Sequence, residues 1–260
     1  MTRPQLAPDV LAVDVGNTKV AAAHFTGGHL RAFYRIDARR ASAARLARAW
    51  AQVLSAAAVP SRTPIVIASV VPHRTRVLVR ALRARRHARL HVAAWNDPWP
   101  FALAVRNPQR VGIDRLANIA GLCARGHRDG VVVDAGTAIT IDVLRAGRFV
   151  GGLILPGFEL QLAALHAHTA LLPSLALRGA VPRLGVDTAG AMRAGVWHVT
   201  RAGVAAVARR ERAALRRRAP ILATGGGGGA IALALGDPGC EDPDLQMLGL
   251  RLLAQRVMPT

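Results

Sequence analysis

Short apolar runs alternate with amphipathic stretches along the chain, and the order of the pattern occurs twice. Leu11 to Val15 is an apolar run ending at Gly16, as a buried strand does where it enters a tight turn. A second strand is predicted at Lys19 to Phe25 and a third at Leu30 to Ile36, with Gly27 and Gly28 supplying the positive φ of the hairpin turn between them. Residues 41 to 57 place Leu46, Trp50, Val53 and Leu54 on one side at helical spacing. TPIVIASVV, residues 63 to 71, is the next strand, closed by Pro72, and a helix over 73–86 and a strand over 89–94 follow.

From Val111 the pattern restarts. VGIDRLANIAGLCA, residues 111 to 124, predicts a helix that feeds VVVDAG, a strand and turn like the first. Strands at Ile139 to Leu144 and Arg148 to Leu155 flank a turn at Ala146 and Gly147, and GFELQLAALHAHTALL, residues 157 to 172, predicts a helix. A long helical segment from Thr188 to Arg217 leads to the strand ILAT, the run Gly225 to Gly229, and a closing helix in DLQMLGLRLLAQ, residues 244 to 255. Each half reads strand, strand, strand, helix, then alternating strand and helix. The fold class expected is therefore a duplicated α/β fold, with domains at residues 1–110 and 111–260 and a cleft between the copies.

At 260 residues the chain can bury a sizeable core, as one large domain or two ordinary ones, and the two similar halves favour two. No uninterrupted apolar run reaches the ~18 residues a membrane span requires, and no apolar stretch of signal-peptide length precedes Asp9 and Asp14. A soluble, cytoplasmic protein with no membrane partner is expected. Cys123 and Cys240 are too few and too scattered for a disulfide framework or a zinc site, and read as buried, reduced thiols. The net charge of +20 attracts polyanions whatever the fold does. Of the 35 basic residues only Lys19 is a lysine, and the arginines are dispersed among alanines. Aromatic residues total 4%, so the basic segments lack the stacking platforms of a single-strand binder, and no specific nucleic-acid partner is expected.

Three constellations carry chemistry. DVGNT and DAGTAIT each set an aspartate, Asp14 or Asp134, at the tip of a strand, followed by a glycine and a hydroxyl, Thr18 or Thr137. Glycine admits an anion close to backbone amides, the hydroxyl adds a donor, and the carboxylate holds a cation that screens phosphates. A single such turn reads first as a hairpin entry with a capping aspartate; two copies flanking the expected interdomain cleft reverse that preference. The third is GIDRLAN, residues 112 to 118, where Asp114 and Asn118 lie one helical turn apart and Arg115 sits beside them. There a carboxylate can take a hydroxyl proton and an arginine can grip a carboxylate, unless Asp114 only complements the helix dipole and Arg115 lies on the surface. The five-glycine run allows flat packing on a base or close approach to phosphate, or is a flexible connection. His166 and His168 diverge on a helix and read as surface residues; PHR at 72–74 has no nucleophile partner and is assigned no catalytic role. GxxxxGK[ST] and GxGxxG are absent from strand-to-helix junctions, which argues against P-loop and Rossmann sites.

Together these segments resemble the type III pantothenate kinase family, a branch of the acetate and sugar kinase/actin superfold. The resemblance runs in order through LAVDVGNT, IASVVP, NPQRVGIDRLAN, VVVDAGTAITIDVL, GGLILPGF, HTALLP, GVDTAGAMRAG, LATGG and DPDLQMLGLRLLA. It implies two actin-like (ribonuclease H-like) domains with an interdomain nucleotide cleft, a homodimer, and transfer of the γ-phosphate of ATP to pantothenate, the first step of coenzyme A biosynthesis. By resemblance, Asp14, Val15, Gly16, Asn17, Thr18, Lys19, Val20 and Ala21 form the first phosphate turn, with Asp14 facing Mg2+ and the phosphates. Gly112, Ile113, Asp114 and Arg115 bind pantothenate, with Asp114 as the base and Arg115 toward the pantothenate carboxylate. Asp134 helps to hold a monovalent cation, K+ or NH4+, Thr137 contacts ATP, and Thr188 reaches the substrate at the dimer interface.

The chain departs from the family pattern at Arg106, where an aromatic residue is common, in its longer glycine run, and at Lys19 and Ala21, since relatives often carry a basic residue slightly later. Two other readings keep the fold: a non-enzymatic accessory or regulatory factor, motivated by the charge, and a kinase of another small hydroxy acid. Acidic residues at 14, 114 and 134 argue against the first, since a binding module does not need all three.

Overall fold

The computed structural model describes residues 9–39, 41–56, 59–85, 89–215 and 218–259. Residues 1–8, and positions 57, 86, 216 and 217 at expected helix ends, lie outside the described residues. In chain order the elements are β1 (Val10–Val15), β2 (Lys19–Thr26), β3 (His29–Asp37), α1 (Ala43–Ala56), β4 (Ile65–Ser69), α2 (Pro72–Ala84), β5 (Leu90–Val92), β6 (Ala102–Leu103) and α3 (Ile113–Ala124). They continue with β7 (Gly130–Ala135), β8 (Ala138–Arg145), β9 (Arg148–Pro156), α4 (Phe158–Ala167), α5 (Thr188–Ala213), β10 (Ile221–Thr224), α6 (Gly228–Ala234) and α7 (Leu245–Val257).

Two compact units result, residues 1–126 with 244–260 and residues 127–243. The sequence repeat restarts at Val111, but α3 packs along α7 and both reach the first sheet, so these two helices belong to the first unit. The sheet of that unit runs β3-β2-β1-β4-β5, with β1 antiparallel to β2 and parallel to β4. The sheet of the second unit repeats the arrangement as β9-β8-β7-β10, with β7 antiparallel to β8 and parallel to β10. Both central strands are continuous apolar runs because they are covered on both faces: every residue of β1 is buried, and so is every residue of β7 except Asp134.

One face of the first sheet packs on Leu46, Trp50, Val53 and Leu54 of α1, the apolar positions the periodicity predicts, and on Leu78 and Leu82 of α2. In the second unit Val131, Val133 and Ile141 pack against Met192, Val196 and Val204 of α5. The two predicted hairpin turns have the expected left-handed backbone, with φ of 56° and 87° at Gly27 and Gly28 and of 49° and 72° at Ala146 and Gly147. Helix α5 starts at an Asp187 cap whose Oδ1 accepts from Gly190 N at 2.6 Å, a bond type that stabilises a helix by about 1 kcal/mol. Helix α4 ends at Ala167, five residues short of the predicted span 157–172, with the Thr169 hydroxyl bonded back to Leu165 O at 2.6 Å. Among the described residues no helix is long and apolar enough to cross a membrane.

Candidate active site

Asp14 stands one residue before the end of β1, opposite Ala21 of β2 and beside Ala68 of β4, and is 8% exposed. The connection Gly16-Asn17-Thr18 closes with Gly16 N donating to Lys19 O at 3.0 Å. Asn17 projects into solvent, whereas Thr18 and Lys19 are half-buried and Val15, Val20 and Ala21 are buried. Thr18 O accepts from Ala38 N at 2.9 Å, which ties the turn to the end of β3.

The second turn is built alike but is one residue shorter. Val15 pairs with Val20 across the first turn, whereas Ala135 pairs with Ile139 across the second, and Gly136 N donates to Ala138 O at 3.0 Å. Asp134 is half-buried and Thr137 exposed. Other chain segments press on this turn. Gly157 N donates to Thr137 O at 2.9 Å, and a Cβ at Gly157 would lie 2.3 Å from Gly136 O. Gly225 adopts φ +84°, a Cβ there would fall 2.4 Å from Asp134 Oδ1, and Gly227 N donates to Ala135 O at 2.9 Å. The glycine run is therefore packed structure: Gly225 and Gly227 let the chain lie against the Asp134 turn, and Gly228 and Gly229 already belong to α6.

GIDR begins α3, with Gly112 at the cap position. Gly112, Ile113, Asp114 and Arg115 are half-buried, and Asn118, one turn on, is 1% exposed. Asp114 folds back over the helix start: its Oδ1 accepts from Arg115 N at 2.8 Å, and Oδ2 accepts no hydrogen bond from a described residue. That leaves one carboxylate oxygen able to take a proton at a fixed position. A Cβ at Gly112 would lie 2.4 Å from Asp114 Oδ1, so glycine is what admits this rotamer.

Within the first unit the structure thus presents the Asp14 turn and the Asp114 helix start, and within the second the Asp134 turn packed against the glycine run. Thr188 is exposed at the start of α5, beside Val186 at 97% and Leu184 at 75% exposure. Arg106 is exposed. His166 and His168 are exposed, and His166 Nδ1 bonds Leu172 O at 2.8 Å. Cys240 is buried and Cys123 half-buried, both as free thiols; burial, with Asp237 and Glu241 nearby, pushes the Cys240 thiol up and keeps it protonated at neutral pH. The residue that sequence reasoning passed over is Arg74, whose guanidinium bonds Gly16 O at 2.8 Å and Asn17 O at 2.6 Å. Neither its motif nor its spacing signals that contact. Among the described residues no group of three or more His, Cys, Asp or Glu is gathered to hold a metal ion.

A duplicated 3-2-1-4 strand order with an Asp-x-Gly turn at each central strand tip defines an actin-like α/β protein. Solved structures agree on the fold. A Campylobacter jejuni protein assigned to a Baf family of transcriptional activators superposes with a TM-score of 0.56 at 20% identity, covering 94% of this chain and 96% of that one. The ethanolamine utilization protein EutJ of Carboxydothermus hydrogenoformans gives 0.53 at 15% identity, covering 96% and 92%. In sequence, a family model for type III pantothenate kinase matches residues 10–210. The type III pantothenate kinase of Acidiphilium cryptum is 35% identical over 254 residues, 95% of this chain and 94% of that protein. That of Kosmotoga olearia is 30% identical over 250 residues, 95% and 96%. The chain belongs to the type III pantothenate kinase family.

Proposed function

We infer that this enzyme transfers the γ-phosphoryl group of ATP to the primary hydroxyl of pantothenate, giving 4'-phosphopantothenate and ADP in the first step of coenzyme A biosynthesis. The observation that carries the reading is membership of the family along nearly the whole chain. Phosphoryl transfer asks little covalent chemistry of a protein; it needs in-line positioning, cations on the phosphates and an oriented hydroxyl.

The roles of individual residues are those the family resemblance implies, and the geometry at Asp114 supports its part. Asp114 takes the hydroxyl proton on Oδ2 while Oδ1 stays bonded to Arg115 N, and the freed oxygen attacks the γ-phosphorus as the bond to the β-phosphate oxygen breaks. Arg115 grips the pantothenate carboxylate, with Gly112 and Ile113 forming the adjoining backbone. The turn from Asp14 to Ala21 receives the phosphates, and Thr137 contacts the nucleotide. Asp14 and Asp134 are hard oxygen donors, the type that Mg2+ and a monovalent cation take. Bound Mg2+ supplies charge neutralisation on the phosphates. Leu184 and Val186 flank Thr188 with apolar surface that a second copy would cover in a homodimer. The enzyme works in the cytoplasm, where its substrates are.

The reaction is tested by incubating the protein with ATP, Mg2+ and pantothenate, with and without K+, and measuring phosphopantothenate. Product should form and should require the monovalent cation; its absence under all conditions rejects the assignment. Asp114→Asn should lose about 10²- to 10⁴-fold in kcat while still binding ATP. Parental turnover in that variant would exclude Asp114 as the base.

A further inference from the structure

Arg74 is the third residue of α2, and three backbone carbonyls share its guanidinium. Nη1 donates to Gly16 O at 2.8 Å and to Asn17 O at 2.6 Å, and Nη2 donates to Ala38 O at 2.6 Å. The first two acceptors lie in the Asp14 turn, and the third adjoins the Ala38 N to Thr18 O bond that holds its far end. The helix carrying Arg74 is itself anchored beside β1. Val70 N donates to Val15 O at 3.3 Å, Ser69 Oγ accepts from Val71 N at 3.0 Å, and the Thr75 hydroxyl bonds both Ser69 Oγ and Val71 O.

Peptide geometry turns these bonds into a statement about the opposite side of the turn. All peptides here are trans, so the carbonyl of one residue and the N–H of the next point in opposite directions across one plane. Drawing Gly16 O and Asn17 O toward Arg74 turns the N–H groups of Asn17 and Thr18 away from it. Two successive amides facing one way make an anion-binding concavity. The guanidinium adds its own field, because its partners are neutral carbonyls and it pairs with no carboxylate of the described residues. A full positive charge therefore stands directly behind the amides.

We propose that Arg74 is a positioning residue for ATP: it fixes the backbone of the turn that receives the nucleotide phosphates and backs that turn with an unneutralised charge. This rests on the reading of the Asp14 turn as the phosphate turn. Arg74 does not touch substrate; it acts through the backbone it holds.

The test compares Arg74→Ala, Arg74→Lys and Asp14→Asn with the parent in kcat, in KM for ATP and for pantothenate, and in thermal unfolding. Arg74→Ala should lose about 10- to 100-fold in kcat/KM for ATP with KM for pantothenate little changed, the scale of losing charge-assisted hydrogen bonds. Low concentrations of guanidinium should restore part of the loss. Arg74→Lys keeps the charge but cannot span three carbonyls with one ammonium, so it should fold and fall between the two. The proposal is overturned if both Arg74 variants show parental ATP kinetics while Asp14→Asn does not. It is equally overturned if their loss follows only the fraction of unfolded protein and guanidinium restores nothing. Parental ATP kinetics in Asp14→Asn would instead remove the phosphate-turn reading itself, and with it any role for Arg74 there.

Discussion

At Gly112 the backbone is ordinary, with φ −59° and ψ 134°, values that any residue can adopt. What calls for glycine is its neighbour's carboxylate: a methyl group at 112 would meet Asp114 Oδ1 at 2.4 Å, and the side chain would have to rotate away. Gly112→Ala therefore separates fold from chemistry. The variant should unfold close to the parent, since the backbone is unstrained, while kcat falls about 100-fold, the cost of misplacing a reacting group by about 1 Å. Measuring kcat together with the thermal midpoint decides the matter, and parental kcat would mean that the Asp114 rotamer does not matter. The sequence pointed to Gly112 and Asp114 through their motif, but not to the steric reason that links them. Arg74 was illegible for a different reason. Its partners are carbonyls of Gly16, Asn17 and Ala38, separated from it by 58, 57 and 36 positions, and a carbonyl carries no side-chain signature. The same holds for Gly225, whose role is set by Asp134 on another strand.

At the scale of elements, the helix that presents Asp114 owes its place to one contact. Helices α3 and α7 approach so closely that a Cβ at Gly249 would lie 1.9 Å from Ala117 O and 2.6 Å from Gly121 N, both backbone atoms that cannot swing aside. Gly249→Ala must push the helices apart. Overpacking of this kind costs about 1–3 kcal/mol and occasionally more, so the urea midpoint should drop by a matching amount. Because α3 starts at the segment proposed to bind pantothenate, KM for pantothenate should rise in the folded fraction. An unchanged midpoint would refute the close crossing. The existence of both helices was legible, because each carries an apolar stripe at helical spacing. Their contact was not, since the pattern marks which face is buried and not what covers it. Every strand but the two-residue β6 was legible from apolar runs punctuated by glycine and proline. The end of α4 was missed because the Thr169 and His166 bonds to Leu165 O and Leu172 O compete with the helix ladder, and hydrophobic spacing is blind to them.

Over the whole molecule, 35 basic residues face only 15 acidic ones, and several arginines place their donors on backbone carbonyls instead of carboxylates. Arg74, Arg89, Arg201, Arg209 and Arg251 all donate to backbone carbonyls. Arg201 also lies over Trp197 and Arg251 over Phe25, at 4.9 and 5.4 Å from the ring centroids. Such contacts fix side chains and stitch segments together, but they cancel no charge. The net +20 therefore remains as a long-range field, and that field should attract any polyanion. The expected behaviour is duplex DNA binding that ignores sequence and falls linearly in log K against log salt. With about 6–10 phosphates neutralised, it should weaken by about 10³- to 10⁵-fold between about 50 and 200 mM salt. At the upper end of that range, added DNA should leave kcat and KM for pantothenate unchanged. Binding that survives there with a preferred sequence would show that charge alone is not the cause, and would favour a regulatory role for the basic surface.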